Sequence, residues 1–204
     1  MSRMMLLAVL MGAMLGFASP AFADPAEDNA VKFVEKLGGT IQRDTKSKAK
    51  VKPVTGVFLS KSEITDKGLQ TLGGIKTLEV LDLGNASKVT DAGMKQIAAL
   101  KTVTDLRLEK VGLTDAGLKD LAALDLVNLD LNGTSVTDAG VKELAGLKSL
   151  KKLQLTNTRI TDAGLKELAA IASLTFLDLS GSSITANGIK DFKKANAKCK
   201  ILGP

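Results

Sequence analysis

Residues 150–165 read LKKLQLTNTRITDAGL, and this stretch decides the fold because its pattern returns along most of the chain. Its second half, Thr-Asp-x-Gly followed by an apolar residue, starts at residues 65, 90, 114, 137 and 161, and a decayed copy starts at residue 185. The intervals are 25, 24, 23, 24 and 24 residues. Self-similarity at such a short period indicates a protein built from one repeated supersecondary unit.

The two halves of the stretch have different periodicities. Leu153 and Leu155 alternate with polar residues, which is the period of a strand with one buried face. Leu165, Leu168 and Ile171 instead fall on one stripe of a helix. The apolar set that marks each strand is Val54/Val57/Leu59, Leu78/Leu81/Leu83, Val103/Leu106/Leu108, Leu126/Leu129/Leu131, Leu150/Leu153/Leu155 and Leu174/Leu177/Leu179. The sequence therefore predicts strand, loop, capped helix and turn, repeated six times.

The junction between strand and helix has its own chemistry. Thr161 is predicted to be an N-cap whose hydroxyl satisfies a free backbone N–H, and Asp162 places negative charge at the positive end of the helix dipole. Ile160 and Leu165 have the spacing of a hydrophobic staple. Gly164 lowers helix propensity, so we expect a close backbone approach at this position.

One such unit cannot bury its own apolar face, so the repeats must stack. The Leu-x-x-Leu-x-Leu strand followed by Ile-Thr-Asp-x-Gly-Leu resembles the leucine-rich-repeat superfamily over residues 54–202. It is most similar to the cysteine-containing and ribonuclease-inhibitor-like classes, and to secreted repeat proteins of planctomycete-type bacteria. One departure is that Thr134, Thr158 and Ser182 stand where those classes often have Cys or Asn, and their hydroxyls could form a similar hydrogen-bonding ladder.

The resemblance implies an α/β solenoid in the form of a horseshoe arc with about six strand–helix repeats. A parallel sheet would line the concave face, and the helices would cover the convex face. No specific ligand follows from the resemblance.

The first 23 residues have the features of a secretory signal peptide. Arg3 is followed by an apolar run from Leu6 to Ala18 and by the small-x-small site Ala21-Phe22-Ala23. We expect cleavage before Asp24 and export from a bacterial cell to the periplasm or beyond, with no membrane span in the mature chain. An uncleaved anchor is the alternative, but the apolar run is shorter than the roughly 20 residues that a spanning helix needs.

The remaining chain divides into an N-terminal cap with a basic loop (24–53), the leucine-rich repeats (54–188) and a C-terminal cap (189–204). In the caps we expect a helix over residues 26–37, an edge strand from Thr40 to Arg43 and a closing strand from Cys199 to Leu202. Phe33 and Phe192 either cap the apolar core or serve as recognition residues, and their places on apolar stripes favour capping.

Composition narrows the function. Without residues 1–23 the chain has 27 basic and 22 acidic residues, a net charge of +5, and its lysines concentrate at the two ends. A nucleic-acid surface would usually add stacking aromatics, but the chain has no Tyr or Trp. It also has no His, the commonest general base and metal ligand. Cys199 is the single cysteine and either pairs between chains or is a small buried apolar residue.

Outward-pointing strand residues predict where a ligand would bind. The central column reads Phe58, Asp82, Arg107, Asp130, Gln154 and Asp178; the column before it reads Gly56, Val80, Asp105, Asn128, Lys152 and Phe176; the column after it reads Ser60, Gly84, Glu109, Asn132, Thr156 and Ser180. The candidate binding residues are Phe58, Asp82, Asp105, Arg107, Glu109, Asn128, Asp130, Asn132, Lys152, Gln154, Phe176 and Asp178. The centre of this face is therefore acidic and rich in amides.

These residues are either a solvated β-surface or a site that accepts hydrogen bonds from a cationic or polyhydroxylated partner. We predict a monomeric, non-catalytic module that binds a protein or a glycan, without cofactor, metal or nucleic acid. Two alternatives are a structural envelope component that assembles through its ends and a hydrolase that uses Asp105, Glu109 and Asp130. An open face would desolvate these carboxylates poorly, which argues against catalysis. The sequence has no acidic loop with the ligand spacing of a calcium site, which argues against calcium binding.

Overall fold

A computed structural model describes residues 24–203, so the predicted signal peptide lies outside the described residues. The strands are β1 (Thr40–Arg43), β2 (Val54–Phe58), β3 (Val80–Asp82), β4 (Asp105–Arg107), β5 (Asn128–Asp130), β6 (Lys152–Gln154), β7 (Phe176–Asp178) and β8 (Lys200–Leu202). The α-helices are α1 (Pro25–Lys36), α2 (Asp91–Ala98), α3 (Asp115–Leu121), α4 (Asp138–Glu143), α5 (Asp162–Leu168) and α6 (Ala186–Ala195), and 3-10 helices span Gly68–Gly74 and Leu144–Gly146. None of the described helices is long and apolar enough to cross a membrane.

All eight strands form one sheet whose order follows the chain. Strands β2 to β8 are parallel, and β1 pairs with β2 in the antiparallel direction, so the predicted edge and closing strands are confirmed. The buried middle residues of neighbouring strands pair directly, as in Leu106 with Leu129 and Leu129 with Leu153. The α/β solenoid is confirmed, with its sheet on one face and its helices on the other.

The first repeat departs from the predicted pattern. Its helical segment is a 3-10 helix at Gly68–Gly74 and not an α-helix. Two glycines, Gly73 and Gly74, weaken an α-helix in this segment. A Cβ atom on Gly74 would also lie within 3 Å of the Ala26 carbonyl group in α1, so this glycine lets the N-terminal helix pack closely.

The predicted N-caps are confirmed at Thr90, Thr114, Thr137, Thr161 and Thr185, but not in the first repeat, where Lys67 precedes the 3-10 helix without a side-chain cap. The Thr-Asp pair also joins neighbouring repeats. Asp115 Oδ1 accepts the backbone N–H of Thr137 at 2.7 Å, and Asp115 Oδ2 accepts the Thr137 hydroxyl at 2.6 Å. The same hydroxyl accepts the N–H of Ala139 and caps α4. Equivalent double contacts run from Asp66 to Thr90, Asp91 to Thr114, Asp138 to Thr161 and Asp162 to Thr185. We call these five contacts the Asp–Thr ladder.

The predicted ladder of hydroxyls is wrong. Thr134 donates to the Leu131 carbonyl oxygen at 2.7 Å, and Thr158 and Ser182 make the same contact to the residue three positions earlier. These hydroxyls therefore close the turn after their own strand and do not reach the next repeat. The side chains that link one repeat to the next at the helix ends are the aspartates.

The Asp–Thr ladder explains the repeated glycine. A Cβ atom on Gly117 would lie 2.6 Å from Asp91 Oδ1 of the preceding repeat. At the four equivalent glycines the aspartate of the preceding repeat would be closer still (Gly93, Gly140, Gly164 and Gly188). The predicted close approach is therefore confirmed, and its partner is a carboxylate.

The ends of the solenoid close its core. Phe192 of α6 is 2 % exposed, and Phe33 of α1 packs against the core from the other end, so both phenylalanines cap the apolar interior. Cys199 is a free thiol that is 1 % exposed, and burial raises its pKa. The interpretation of Cys199 as a small buried residue is confirmed.

Candidate functional site

The strand register confirms the positions of the predicted columns. Phe58 pairs with Asp82, Asp82 with Arg107, Arg107 with Asp130, and the column continues through Gln154 to Asp178. The column before it is aligned in the same way from Gly56 to Phe176. Because side chains alternate along a strand, both columns point away from the buried leucines. The surface they form is called the concave face below.

Carboxylates surround the guanidinium group at the centre of the concave face. Arg107 Nε lies 3.2 Å from Asp105 Oδ1, and Arg107 Nη1 lies 3.8 Å from Asp82 Oδ2. The other oxygen of Asp105 accepts the Asn128 side-chain amide at 3.1 Å. The Arg107 side chain is 45 % exposed, so these contacts orient it without removing it from solvent.

The three aspartates of the central column are held by the chain itself. Asp82, Asp130 and Asp178 each accept the backbone N–H of the residue two positions later at 2.9–3.0 Å. This contact forms because the chain turns as soon as the strand ends, which brings that N–H back to the side chain. One oxygen of each carboxylate is thereby fixed, and its orientation on the face is set before any ligand arrives.

Asp130 is the least compensated of these carboxylates. Burial raises its pKa, and the nearby Glu109 and Asp82 carboxylates raise it further, while the Asn132 N–H and the Arg107 guanidinium oppose the change. Among the described residues, no Lys or Arg nitrogen lies within 4.0 Å of its oxygens. Burial thus disfavours the charged form of Asp130, and a carboxylate with a perturbed pKa in a concavity is a candidate binding residue.

Replacing Asp130 with Asn should stabilise the protein slightly near neutral pH, by about 0.5 kcal/mol or less because the site is half open to solvent. The folded-state pKa of Asp130 is raised, so its charge opposes folding above that pKa and the penalty disappears as the pH falls through it. We therefore expect the stability gain, measured as a urea midpoint, near pH 7 but not near pH 3.5. Asp125→Asn, at an exposed position, should show no gain at either pH; a loss of stability in Asp130→Asn near pH 7 would contradict this account.

A shallow concavity of about 350 Å³ lies at the middle of the concave face. Its lining residues are Asp105, Arg107, Asn128, Leu129, Asp130, Lys152 and Gln154. The structure therefore brings together six of the predicted site residues. Glu109 and Asn132 lie beside them in the next column, while Phe58 on β2 and Phe176 on β7 lie five strands apart, about 24 Å at ordinary strand spacing.

Three neighbouring residues were missing from the predicted site. The Ser60 hydroxyl donates to Asp82 Oδ1 at 2.7 Å. Lys200 pairs with Phe176 and Leu202 with Asp178, so β8 extends both columns by one residue. The alternation of the closing strand could have indicated Lys200 and Leu202, since a seventh parallel strand continues the same register.

The site can hold hydrogen bonds and ion pairs, and its geometry offers little for covalent chemistry. Among residues 24–203, no cluster of three or more acidic, Cys or His side chains is arranged to hold a metal ion. The concavity is open, so it excludes little water from Asp105 and Asp130. The absence of catalytic activity, cofactor and metal stays a prediction.

Comparisons with known proteins agree with this architecture. A family model described as leucine rich repeat matches residues 124–184. An internalin structure (inlF) from Listeria monocytogenes is 23 % identical and has a TM-score of 0.52, covering 65 % of this chain and 36 % of its own; the chain thus spans about a third of that protein. A second internalin from the same organism (inlC2) is 23 % identical and has a TM-score of 0.51, covering 88 % of this chain and 83 % of its own. No curated protein sequence matched. These likenesses show the fold alone.

Proposed function

Since the chain folds as a leucine-rich-repeat solenoid, we propose that it is a non-catalytic module that binds a protein partner through its concave face. The observation that carries this proposal is the oriented acidic centre around Arg107. Asp82 and Asp105 contact the guanidinium group, and among the described residues no Lys or Arg nitrogen lies within 4.0 Å of the Asp130 carboxylate. A charged cluster that the fold orients but does not neutralise is suited to a complementary partner.

The charge of the face indicates a partner with a basic surface. Five of the twelve candidate residues are acidic (Asp82, Asp105, Glu109, Asp130 and Asp178) and two are basic (Arg107 and Lys152). Complementary charge accelerates encounter and is screened by salt, so association should slow as ionic strength rises. Affinity per unit area should be modest, since interface hot spots favour Trp, Tyr and Arg and this face offers one Arg and two Phe.

We also propose that the protein is exported and monomeric. The support for export is the sequence of residues 1–23, with its positive start, apolar run and small-residue site. From the repeat pattern of residues 54–202 we also propose that the repeats are of the ribonuclease-inhibitor-like class and similar to those of secreted planctomycete-type proteins. The open concave face gives no support for a hydrolase.

A crosslinked pull-down tests the binding proposal. The bait is residues 24–204 carrying Asp82→Lys, Asp130→Lys and Asp178→Lys, compared with the unmodified chain. The matched control carries Asp120→Lys, Glu143→Lys and Glu167→Lys on helices α3, α4 and α5, so it has the same change in net charge on the opposite face. Circular dichroism should show equal helical content in all three baits before the capture is compared.

We expect the unmodified chain and the helix-face control to capture the same identified protein, and the concave-face variant to lose at least 90 % of it. Bound protein should also fall as salt rises from roughly 0.05 to 0.5 M, because the Debye length shortens. Equal capture by all three baits would place the interaction elsewhere and contradict the proposal.

A further inference from the structure

We propose that Lys152, Phe176 and Lys200 form a subsite for a carboxylated sugar ring at the C-terminal end of the concave face. This lysine–phenylalanine–lysine row rests on the proposed function, because it is part of the same binding face. It differs from the acidic centre in charge and in chemistry, so the two regions can be tested with separate variants.

The row is fixed by the register of three adjacent strands. Phe176 of β7 pairs with Lys152 of β6 on one side and with Lys200 of β8 on the other. Both lysines are exposed and Phe176 is half-buried, so the ring is an apolar platform between two ammonium groups. Neither ammonium group has an acidic partner within 4.0 Å among the described residues. The backbones of the flanking strands are about 9.6 Å apart, two ordinary strand spacings.

This arrangement fits a single ring that carries a negative charge. One face of a pyranose ring presents C–H groups, which pack against an aromatic ring by dispersion. A carboxylate on the ring edge could then accept charge-assisted hydrogen bonds from a lysine on either side. An uncharged sugar would retain the packing and lose the ion pair, so the row should discriminate between a uronate and its methyl ester.

The neighbouring polar groups suit sugar hydroxyls. Asp178, two residues after Phe176 on the same strand, accepts both of its hydrogen bonds, from the Ser180 N–H and hydroxyl, through Oδ1, so its Oδ2 has no protein partner among residues 24–203. The Gln154 side chain, next to Asp178 in the central column, makes no hydrogen bond within the same part of the chain. A carboxylate oxygen and an amide beside an aromatic platform provide both acceptors and donors for hydroxyl groups.

The length of the row argues against a long polyanion. Beyond Lys152 the same column continues to Asn128 and then to Asp105, so no further cation in this column extends the row. A nucleic acid or an extended anionic chain would have to cross that acidic centre. The ligand that fits is therefore one or two sugar rings long.

An NMR titration with defined sugars tests this subsite. The ligands are digalacturonate, glucuronate and N-acetylneuraminate, each with its methyl ester as the uncharged comparator, and a peptide of alternating Glu and Ala as the acidic protein-like comparator. The variants are Phe176→Ala and the pair Lys152→Gln with Lys200→Gln. The control pair, Lys119→Gln with Lys166→Gln, removes two exposed lysines from helices α3 and α5. All chains should first show unchanged thermal unfolding midpoints.

We expect at least one carboxylated sugar to bind saturably and its ester to bind at least 10-fold more weakly. Phe176→Ala and the Lys152/Lys200 pair should each weaken binding at least 10-fold, while the control pair changes it less than 2-fold. Failure of all three sugars to bind at millimolar concentration, equal binding by Phe176→Ala, or tighter binding of the acidic peptide would overturn the inference. If the protein partner is still captured by Phe176→Ala in such a case, the proposed function stands without the sugar subsite.

Discussion

Replacing Asp115 with alanine is expected to destabilise the protein by about 3 kcal/mol, the largest loss among the substitutions considered. The Asp115 carboxylate accepts both the backbone N–H and the hydroxyl of Thr137 from the next repeat, at 2.7 and 2.6 Å. Hydrogen bonds to a charged group contribute about 1.5–3 kcal/mol each, and a donor left unsatisfied adds a desolvation penalty. Asp115 lies in the middle of the solenoid, so its loss weakens an interface between two repeats that each have a further neighbour.

Urea unfolding followed by circular dichroism measures this loss. Asp115→Asn keeps one acceptor oxygen and removes the charge, so we expect about half of the effect. Asp125→Ala removes an aspartate that is exposed and makes no side-chain hydrogen bond among the described residues, and it should change stability by less than about 0.5 kcal/mol. An Asp115→Ala protein as stable as Asp125→Ala would show that the Asp–Thr ladder contributes little.

Replacing Gly140 with alanine should cost about 2 kcal/mol, although alanine is the better helix former. The added methyl would overlap Asp115 Oδ1 and lie 2.9 Å from Leu118 Cδ1 of the preceding repeat. Overpacking of this kind typically costs 1–3 kcal/mol, and it also displaces the carboxylate from Thr137. The higher helix propensity of alanine offsets about 1 kcal/mol of this loss of stability.

Gly146→Ala is the matched control for Gly140→Ala. It lies in the 3-10 helix at the end of the same repeat, and a Cβ atom there would meet nothing within 4 Å. The same chemical change should therefore be neutral or stabilising by up to about 1 kcal/mol, since alanine restricts the unfolded chain. Equal midpoints for the two variants in urea would contradict the packing role of the repeated glycine.

The sequence was sufficient to predict the repeat, the register of the strands and the columns of the concave face. A constant period aligns equivalent strand residues, so the pairing of Asp105 with Asn128 could be predicted from spacing alone. The Asp–Thr ladder could not be predicted from the sequence, because an Asp next to an N-cap threonine is already explained locally by its interaction with the helix dipole. Recognising the contact to the next repeat requires the distance between neighbouring helix ends, which the sequence does not contain.

Some local conformations carried no sequence signal. Each of the strands β2 to β7 is followed three positions later by a residue with positive φ, and in two repeats that residue is Lys61 or Lys110 instead of Gly or Asn. Lysine has no preference for this region, so only the surrounding repeats impose it. At the site, the columns were predicted, but the hydrogen bonds that orient Asp82 and Asp130 depend on the tightness of the turn after each strand.

Site-specific photocrosslinking tests the binding claim most directly. A photoreactive amino acid at Gln154, in the concavity of the concave face, is compared with one at Lys142, exposed on helix α4 of the opposite face. Both proteins are irradiated in the same extract, and the adducts are identified by mass spectrometry. Binding through the concave face predicts one protein adduct at position 154, weakened by raised salt, and no such adduct at position 142. An adduct at position 142 with none at position 154 would contradict it.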